Sequence, residues 1–277
     1  MTSKKNEPKI HNLSHQEKSA PKMFEGLPGI FYIAVAWAGN IYTIYVGGCS
    51  FTYYMWHLLQ TPDACWIFQP ICDLGLIFTP VAKEYMDRTE PWGAFKNLDK
   101  RHIYVWNMFW YGLFMLQHTG MKKPAFKKEI FPVSERLERG LYVFCAAFTW
   151  HMCFYMVCPL PTVIYEVKDL NLMLALSALN FFGALFTWST FFKLDFGSFM
   201  GLTQAYDEKP KNLPFCKDGL YGLMRHPQYF GQFIAFWSRP KMTEGDLLYS
   251  ISLTLYILIA VRYSEEPALI ELIGEQY

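Results

Sequence analysis

The stretch Gly219-Leu220-Tyr221-Gly222-Leu223-Met224-Arg225-His226-Pro227-Gln228-Tyr229 sets a guanidinium, an imidazole and a proline side by side, just ahead of an apolar run that continues to Trp237. A polar break follows at Ser238-Arg239-Pro240-Lys241. A second apolar run, Leu247 to Tyr263, closes on Arg262-Tyr263-Ser264-Glu265-Glu266. If Tyr229 to Tyr263 were a single crossing, the paired acids would lie on the far side of a bilayer from His226. The polar break argues for a helical hairpin instead. Thr243 suits the N-cap of its second limb, and the return stroke brings Glu265 and Glu266 back to the face that holds Arg225 and His226. The first limb is too short to cross a hydrocarbon core of about 30 Å alone, so it must tilt or cross only in part. Ionisable groups at such places are costly in a membrane protein and are functional by default.

Outward from that hairpin the chain stays apolar. Of its 277 residues, 52% are hydrophobic and only 18% are charged, below the roughly 25% of soluble domains. The excess is gathered into runs at Ile30 to Val46 (extendable past Gly47-Gly48 to Leu59), Ile103 to Gln117, Gly140 to Cys158 and Leu170 to Phe192. Trp66 to Ala82 holds Pro70, Asp73 and Pro80 and reads as interfacial rather than spanning. The sequence therefore predicts an all-α fold, a polytopic transmembrane helical bundle of about 5–6 spans with a C-terminal helical hairpin. Residues 1–29, polar and carrying Lys4, Lys5, Lys9, Lys18 and Lys22, read as a disordered cytosolic tail. No short apolar core with a small-residue cleavage site follows them, so no cleaved signal peptide is expected. Residues 30–102 read as one span plus a loop or interfacial segment, and residues 103–277 as the main membrane domain. A net charge of +1 gives no reason to expect a nucleic-acid partner.

Loop charge sets an orientation. Lys122, Lys123, Lys127, Lys128, Arg136 and Arg139 crowd one loop, and Lys193, Lys209, Lys211, Lys217 and Arg225 another, whereas Pro159 to Asp169 carries only Lys168. The two basic loops, and His226 with them, are expected to face the cytosol. The seven cysteines form no Cys-x-x-Cys pair and no zinc spacing. Cys145, Cys153 and Cys158 read as small packing residues, and a Cys65–Cys72 disulfide is open on spacing alone.

Taken as one site, the hairpin mouth has a definite chemistry. Arg225 offers a planar fork suited to a carboxylate, and His226 can exchange a proton near neutral pH. Glu265 and Glu266 accept from an ammonium group or from ribose hydroxyls. Tyr221 and Tyr229 can stack on a base or face a cation. S-adenosylmethionine carries all of those groups, though other polar ligands would fit the same residue types. The same residues also fit ordinary positive-inside anchors, a proline-started helix and a solvated helix end. Five tryptophans, Trp106, Trp110, Trp150, Trp188 and Trp237, either belong to packing and interfacial belts or line a path for an apolar substrate.

The motif from Gly219 to Gly231, with Glu265-Glu266 later, resembles the membrane methyltransferase superfamily of isoprenylcysteine carboxyl methyltransferases, phospholipid methyltransferases and NnrU-like proteins. Met108 to Tyr277 resembles one branch in particular, that of methanethiol S-methyltransferase and nurim. Its matching pieces are Leu116-Gln117-His118-Thr119-Gly120-Met121, Pro124-Ala125-Phe126-Lys127, Glu138-Arg139-Gly140-Leu141-Tyr142, Asp195 with Gly201-Leu202-Thr203-Gln204, and Ala235 to Thr243. The resemblance implies an S-adenosyl-L-methionine pocket built from Arg225, His226, Tyr229, Glu265 and Glu266, with Tyr221 beside them. It also implies an acceptor site touching Gln117, His118 and Asp195. Members of the superfamily continue past the Glu-Glu helix with aromatic and basic residues, whereas this sequence closes at Gly274-Glu275-Gln276-Tyr277.

The activity implied is methylation of a small thiol such as methanethiol to dimethyl sulfide. His226 stands first and His118 second as the group that takes the thiol proton, and no metal ligand set is present in the sequence. Two alternatives stay open: a nurim-like inner nuclear membrane protein without catalysis, and a methyltransferase for a lipid or a prenylcysteine. The location implied is a multi-pass membrane protein, of the endoplasmic reticulum or inner nuclear membrane in a eukaryote.

Overall fold

Many apolar side chains in this molecule point outward, and several polar ones point in. Ile30, Ile41, Val105, Leu116, Leu255 and Ile259 are exposed, while Asn40, Asn107, Ser177, Asn180, Thr190 and Ser250 are buried. That inversion fits helices whose surroundings are lipid, where small and polar residues join helix to helix. The computed structural model describes residues 22–59, 91, 93–191, 195–207 and 219–274. Most of the expected tail, the Trp66 to Ala82 segment and the Cys65–Cys72 pairing lie outside the described residues.

The main helices are α1 (Gly29–Leu59), α2 (Lys100–Gly120), α3 (Glu135–Met156), α4 (Leu170–Phe191), α5 (Pro227–Trp237), α6 (Glu244–Ala260) and α7 (Glu266–Ile273). Among the described residues, three helical stretches are long and apolar enough to cross a membrane: Gly29–Gly48, Leu170–Thr190 and Glu244–Glu271. Helices α2 and α3, of 21 and 22 residues, have comparable length. Among the described residues the all-α expectation is qualified by one small antiparallel pair, β1 (Val163–Glu166) with β2 (Lys241–Thr243). At three or four residues each, these strands are too short for their alternation to show in a sequence.

The C-terminal hairpin forms as its polar break requires. Thr243 caps α6 in a full capping box, accepting from the Asp246 amide while Asp246 accepts from the Thr243 amide. The first limb, α5, has 11 residues, or roughly 16 Å at 1.5 Å per residue. Trp237 reaches Thr254 across the hairpin at 3.1 Å. The same number of residues separates Trp237 from His226 as separates Thr254 from Glu265, so the limbs come level again at the mouth.

Helix α5 is held from the other side by α4, through a crossing that only glycine allows. A Cβ on Gly231 would meet Thr187 Oγ1 at 2.6 Å and the Gly183 carbonyl at 2.7 Å, and one on Gly183 would meet the Ala235 amide at 2.7 Å. Around that contact Asn180 donates to the Ala235 carbonyl (2.5 Å) and Thr187 to the Gln228 carbonyl (3.2 Å). Helix α2 is tied to the end of α3 by Asn107, which is fully buried and exchanges two 2.8 Å bonds with the Cys158 backbone.

The bundle thus has two rims. One carries Lys100, Cys158 to Glu166 and the hairpin tip. The other carries His118, Lys122, Arg139, the turns at Phe196–Phe199 and Leu202–Ala205, and the hairpin mouth.

Candidate functional site

The mouth of the hairpin begins with a backbone preference. Pro227 occupies the first turn of α5, where its missing N–H costs nothing, and His226 precedes it in a non-helical conformation. Gly219, at φ 60°, turns the chain into the short helical turn Leu220–Leu223 that delivers Arg225. Across the mouth, α6 loosens into a π-helical turn, Val261–Glu265, before α7 begins at Glu266. Such turns recur at functional sites. Here the turn sends two successive acids in different directions.

Those acids straddle His226. Its Nε2 lies 2.7 Å from Glu266 Oε1 and its Nδ1 lies 3.8 Å from Glu265 Oε2. Arg225 Nη1 donates to Glu266 Oε2 at 3.1 Å with 59% of its side chain exposed. The Tyr229 hydroxyl donates to Glu265 Oε1 at 2.6 Å, and its ring stacks on the His226 imidazole at 5.6 Å. Five residues named from sequence therefore meet in one cluster. Tyr221, the sixth, directs its hydroxyl to Gln228 at 3.4 Å.

The Gln117-His118 pair lies at the same rim. The Tyr142 hydroxyl is 3.1 Å from His118 Nδ1 and 3.3 Å from Nε2, and the His118 ring packs against Phe114 and Tyr256. Tyr256 also shares a 2.9 Å hydrogen bond with Thr119. Gln117 accepts from Thr149 and donates to the Met121 sulfur, both at 3.1 Å. Asp195 is different. It accepts from Ser198 (2.6 Å) at the start of the Phe196–Phe199 turn, a local role, and no bond to the other candidates occurs among the described residues.

Two cations read from sequence as orienting loop charges, one of them (Arg139) also within the Glu138–Tyr142 matching piece, stand inside this site. Lys122 lies 3.7 Å from Glu265 Oε1 with 40% of its side chain exposed. Loss of hydration pushes its ammonium below the usual lysine value, Glu265 pulls it back, and Arg139 adds to the depression. Arg139 is sandwiched between the Tyr142 ring at 5.2 Å and the Phe199 ring at 4.8 Å, and its Nε donates to the Phe199 carbonyl at 2.7 Å. The signal that could have found it is Gly201. At φ 81°, a Cβ there would strike Gly140 N at 2.4 Å, so the Gly201 turn must press against the first turn of α3, beside Arg139.

A family model described as "Protein of unknown function (DUF1295)" matches residues 138–261. Methanethiol S-methyltransferase 1 of Bradyrhizobium diazoefficiens is 35% identical over 176 residues, 62% of this chain and 61% of that protein. Methanethiol S-methyltransferase of Mycobacterium tuberculosis is 33% identical over 180 residues, 62% of this chain and 72% of that protein. This chain belongs to the methanethiol S-methyltransferase family. Nurim of Xenopus laevis, 28% identical over 54% of this chain and 57% of its own, is similar to this family member more distantly. The chain spans 61% and 64% of the length of the Bradyrhizobium protein and of a Pseudomonas deceptionensis methanethiol S-methyltransferase. No solved structure matches.

Proposed function

We propose that this protein is an integral-membrane, S-adenosylmethionine-dependent methyltransferase whose acceptor is a small thiol such as methanethiol, giving dimethyl sulfide. One observation carries the reading: Arg225, His226 and Tyr229 meet Glu265 and Glu266 at a single rim. The residues fit the donor. Arg225, more than half exposed, can turn its fork to a carboxylate. Glu265 and Glu266 suit an ammonium group and ribose hydroxyls, and the stacked Tyr229–His226 pair offers a face to a base or a sulfonium. When bound, S-adenosylmethionine supplies an electrophilic methyl carbon. The chain's own task is to hold the thiol in line about 3 Å from it.

A free thiol near pKa 8.5 is only a few per cent ionised at neutral pH, roughly speaking, so a base is needed. Between the two candidates we assign that role to His118. Both ring nitrogens of His226 already face acids, which suits it to orient the carboxylates. Among the described residues His118 instead lies beside the Tyr142 hydroxyl and the Phe114 and Tyr256 rings, with no carboxylate bonded to it. Gln117 then helps to fix the His118 end of α2, and Asp195 shapes the adjoining turn.

The membrane arrangement we favour has α1, α2, α3, α4 and α6 crossing, α5 as the short limb, and the site rim facing the cytosol with Lys122 and Arg225. In a eukaryotic cell the membrane would be that of the endoplasmic reticulum or the inner nuclear envelope.

The test is calorimetric binding of S-adenosylmethionine to the detergent-purified chain. Glu265→Gln and His226→Ala should each weaken it by about 10- to 100-fold, the loss of one charge-assisted hydrogen bond. No binding by the unmutated chain would sink this reading and favour the non-catalytic, nurim-like one. Binding with turnover of prenylcysteine but not of methanethiol would reassign the acceptor.

A further inference from the structure

Arg139 presents an imbalance that the donor pocket does not resolve. Its plane is fixed by two aromatic faces and its Nε is committed to the Phe199 carbonyl; among the described residues it forms no ion pair with a carboxylate. The nearest acids on its own helix are engaged elsewhere, Glu138 with Lys127 at 2.5 Å and Glu135 with Lys22 at 2.6 Å. Lys122 and Arg139 act electrostatically on each other and on His118. Facing this group are the Tyr142 hydroxyl from the same helix, the Tyr256 side chain and Glu265. Glu265 is already shared between Lys122 and Tyr229. Two full cations and an imidazole thus converge where one carboxylate serves. A half-buried guanidinium held rigid in that way is suited to an anionic partner.

We infer that Arg139 and Lys122, beside His118, form an anion subsite that holds the methyl acceptor as its thiolate. The inference rests on the methyltransferase reading above and extends it to the acceptor. The subsite lies on the Glu265 side of the cluster, while Arg225 stands on the Glu266 side. One end thus serves the acceptor and the other the donor's carboxylate. In the step this implies, His118 takes the proton of the S–H bond and the thiolate remains between Arg139 and Lys122. A sulfur lone pair then forms the new S–CH3 bond, and the electron pair of the broken carbon–sulfonium bond returns to the departing thioether. The positive charge of the donor ends as the proton on His118, which passes to water at the exposed rim. A cationic surround lowers the pKa of a bound thiol. Removing either cation should therefore move the rising limb of the activity–pH profile to higher pH.

The experiment uses the full chain in detergent, with Lys122→Gln, Arg139→Gln and Arg139→Lys. Thiocyanate, a small sulfur anion, is titrated calorimetrically with no donor present, donor affinity is measured separately, and methanethiol turnover is followed against pH. We expect thiocyanate binding to weaken about tenfold in both glutamine variants, a coupling of ~1.4 kcal/mol. The pH profile should shift upward, Arg139→Lys should recover part of both effects, and donor affinity should not weaken. Because Arg139→Gln also removes stacking and could fail to fold, Lys122→Gln, in the loop after α2, carries the test alone if needed. Unchanged thiocyanate binding together with an unmoved pH profile overturns the subsite. Weakened donor binding also overturns it, because the cations would then belong to the donor pocket. Failure of the unmutated chain to bind the donor defeats the methyltransferase reading and is read independently of the thiocyanate result.

Discussion

The two rims of the C-terminal hairpin use the same residue types to opposite ends. At the closed rim Arg239 is only 2% exposed, pairs with Asp246 and lies 5.7 Å over the Tyr249 ring. Asp246 at the same time completes the Thr243 capping box, the Arg239 carbonyl accepts from Tyr165 at 3.0 Å, and β1 pairs with β2 just beyond. At the open rim Arg225 is 59% exposed, and the partners of Glu265 and Glu266 are side chains: Tyr229, Lys122, His226 and Arg225. An ion pair woven into caps and strands is part of the fold. One made only between side chains at a wet edge can exchange its partners for a ligand, because giving up such a pair costs little.

The strongest way to break this division is Asp246→Ala. It strands a buried guanidinium, at a cost of about 3–5 kcal/mol, and removes a cap contact worth roughly 1 kcal/mol more. The denaturation midpoint in detergent should fall sharply, while the fraction that remains folded keeps its affinity for S-adenosylmethionine. A loss below ~1 kcal/mol would show that the closed rim is no more structural than the open one.

Gly231→Ala probes what connects the rims. Its new methyl would press on the Gly183 carbonyl and on Thr187, backbone and a short side chain that cannot swing away. The expected cost is about 1–3 kcal/mol from overpacking. Because α5 also carries His226 and Tyr229 at its start, donor affinity should drop alongside stability. A variant equally stable but unable to bind would place the glycine contact in the site rather than in the scaffold.

The same contrast decides what the sequence discloses. The open rim was legible because its residues are clustered in the chain at two places, 225–229 and 265–266, and a proline, a polar break and a capping threonine dictate that these return to one level. The closed rim was legible only in part. Thr243 declared itself, but the strand pair did not, since β1 and β2 are short and lie far apart in the chain. Lys122 and Arg139 were hidden for another reason. Positive-inside loops are rich in Lys and Arg, so the two cations at the site cannot be told from their neighbours Lys123 and Arg136 until the Phe199 and Tyr142 rings are seen around one of them. Asp195 shows the opposite ambiguity, because a short acid before a turn matches a helix start as well as a ligand, and its side chain here accepts from Ser198.

The mildest substitution sharpens the comparison most. Arg225→Ala removes a pair whose arginine is largely in water, so unfolding should shift by less than about 1 kcal/mol. The same deletion withdraws the guanidinium that donates to Glu266. Donor affinity should therefore fall by roughly tenfold or more, and by more than for Arg225→Lys, which keeps the charge but loses the fork. Glu266 would retain His226 at its Oε1, so the hairpin mouth stays closed and the loss reads on binding alone. If Arg225→Ala instead lowered stability by as much as Asp246→Ala while leaving donor affinity intact, the open rim would be a second structural clasp. The exposure of its arginine would then have no functional meaning.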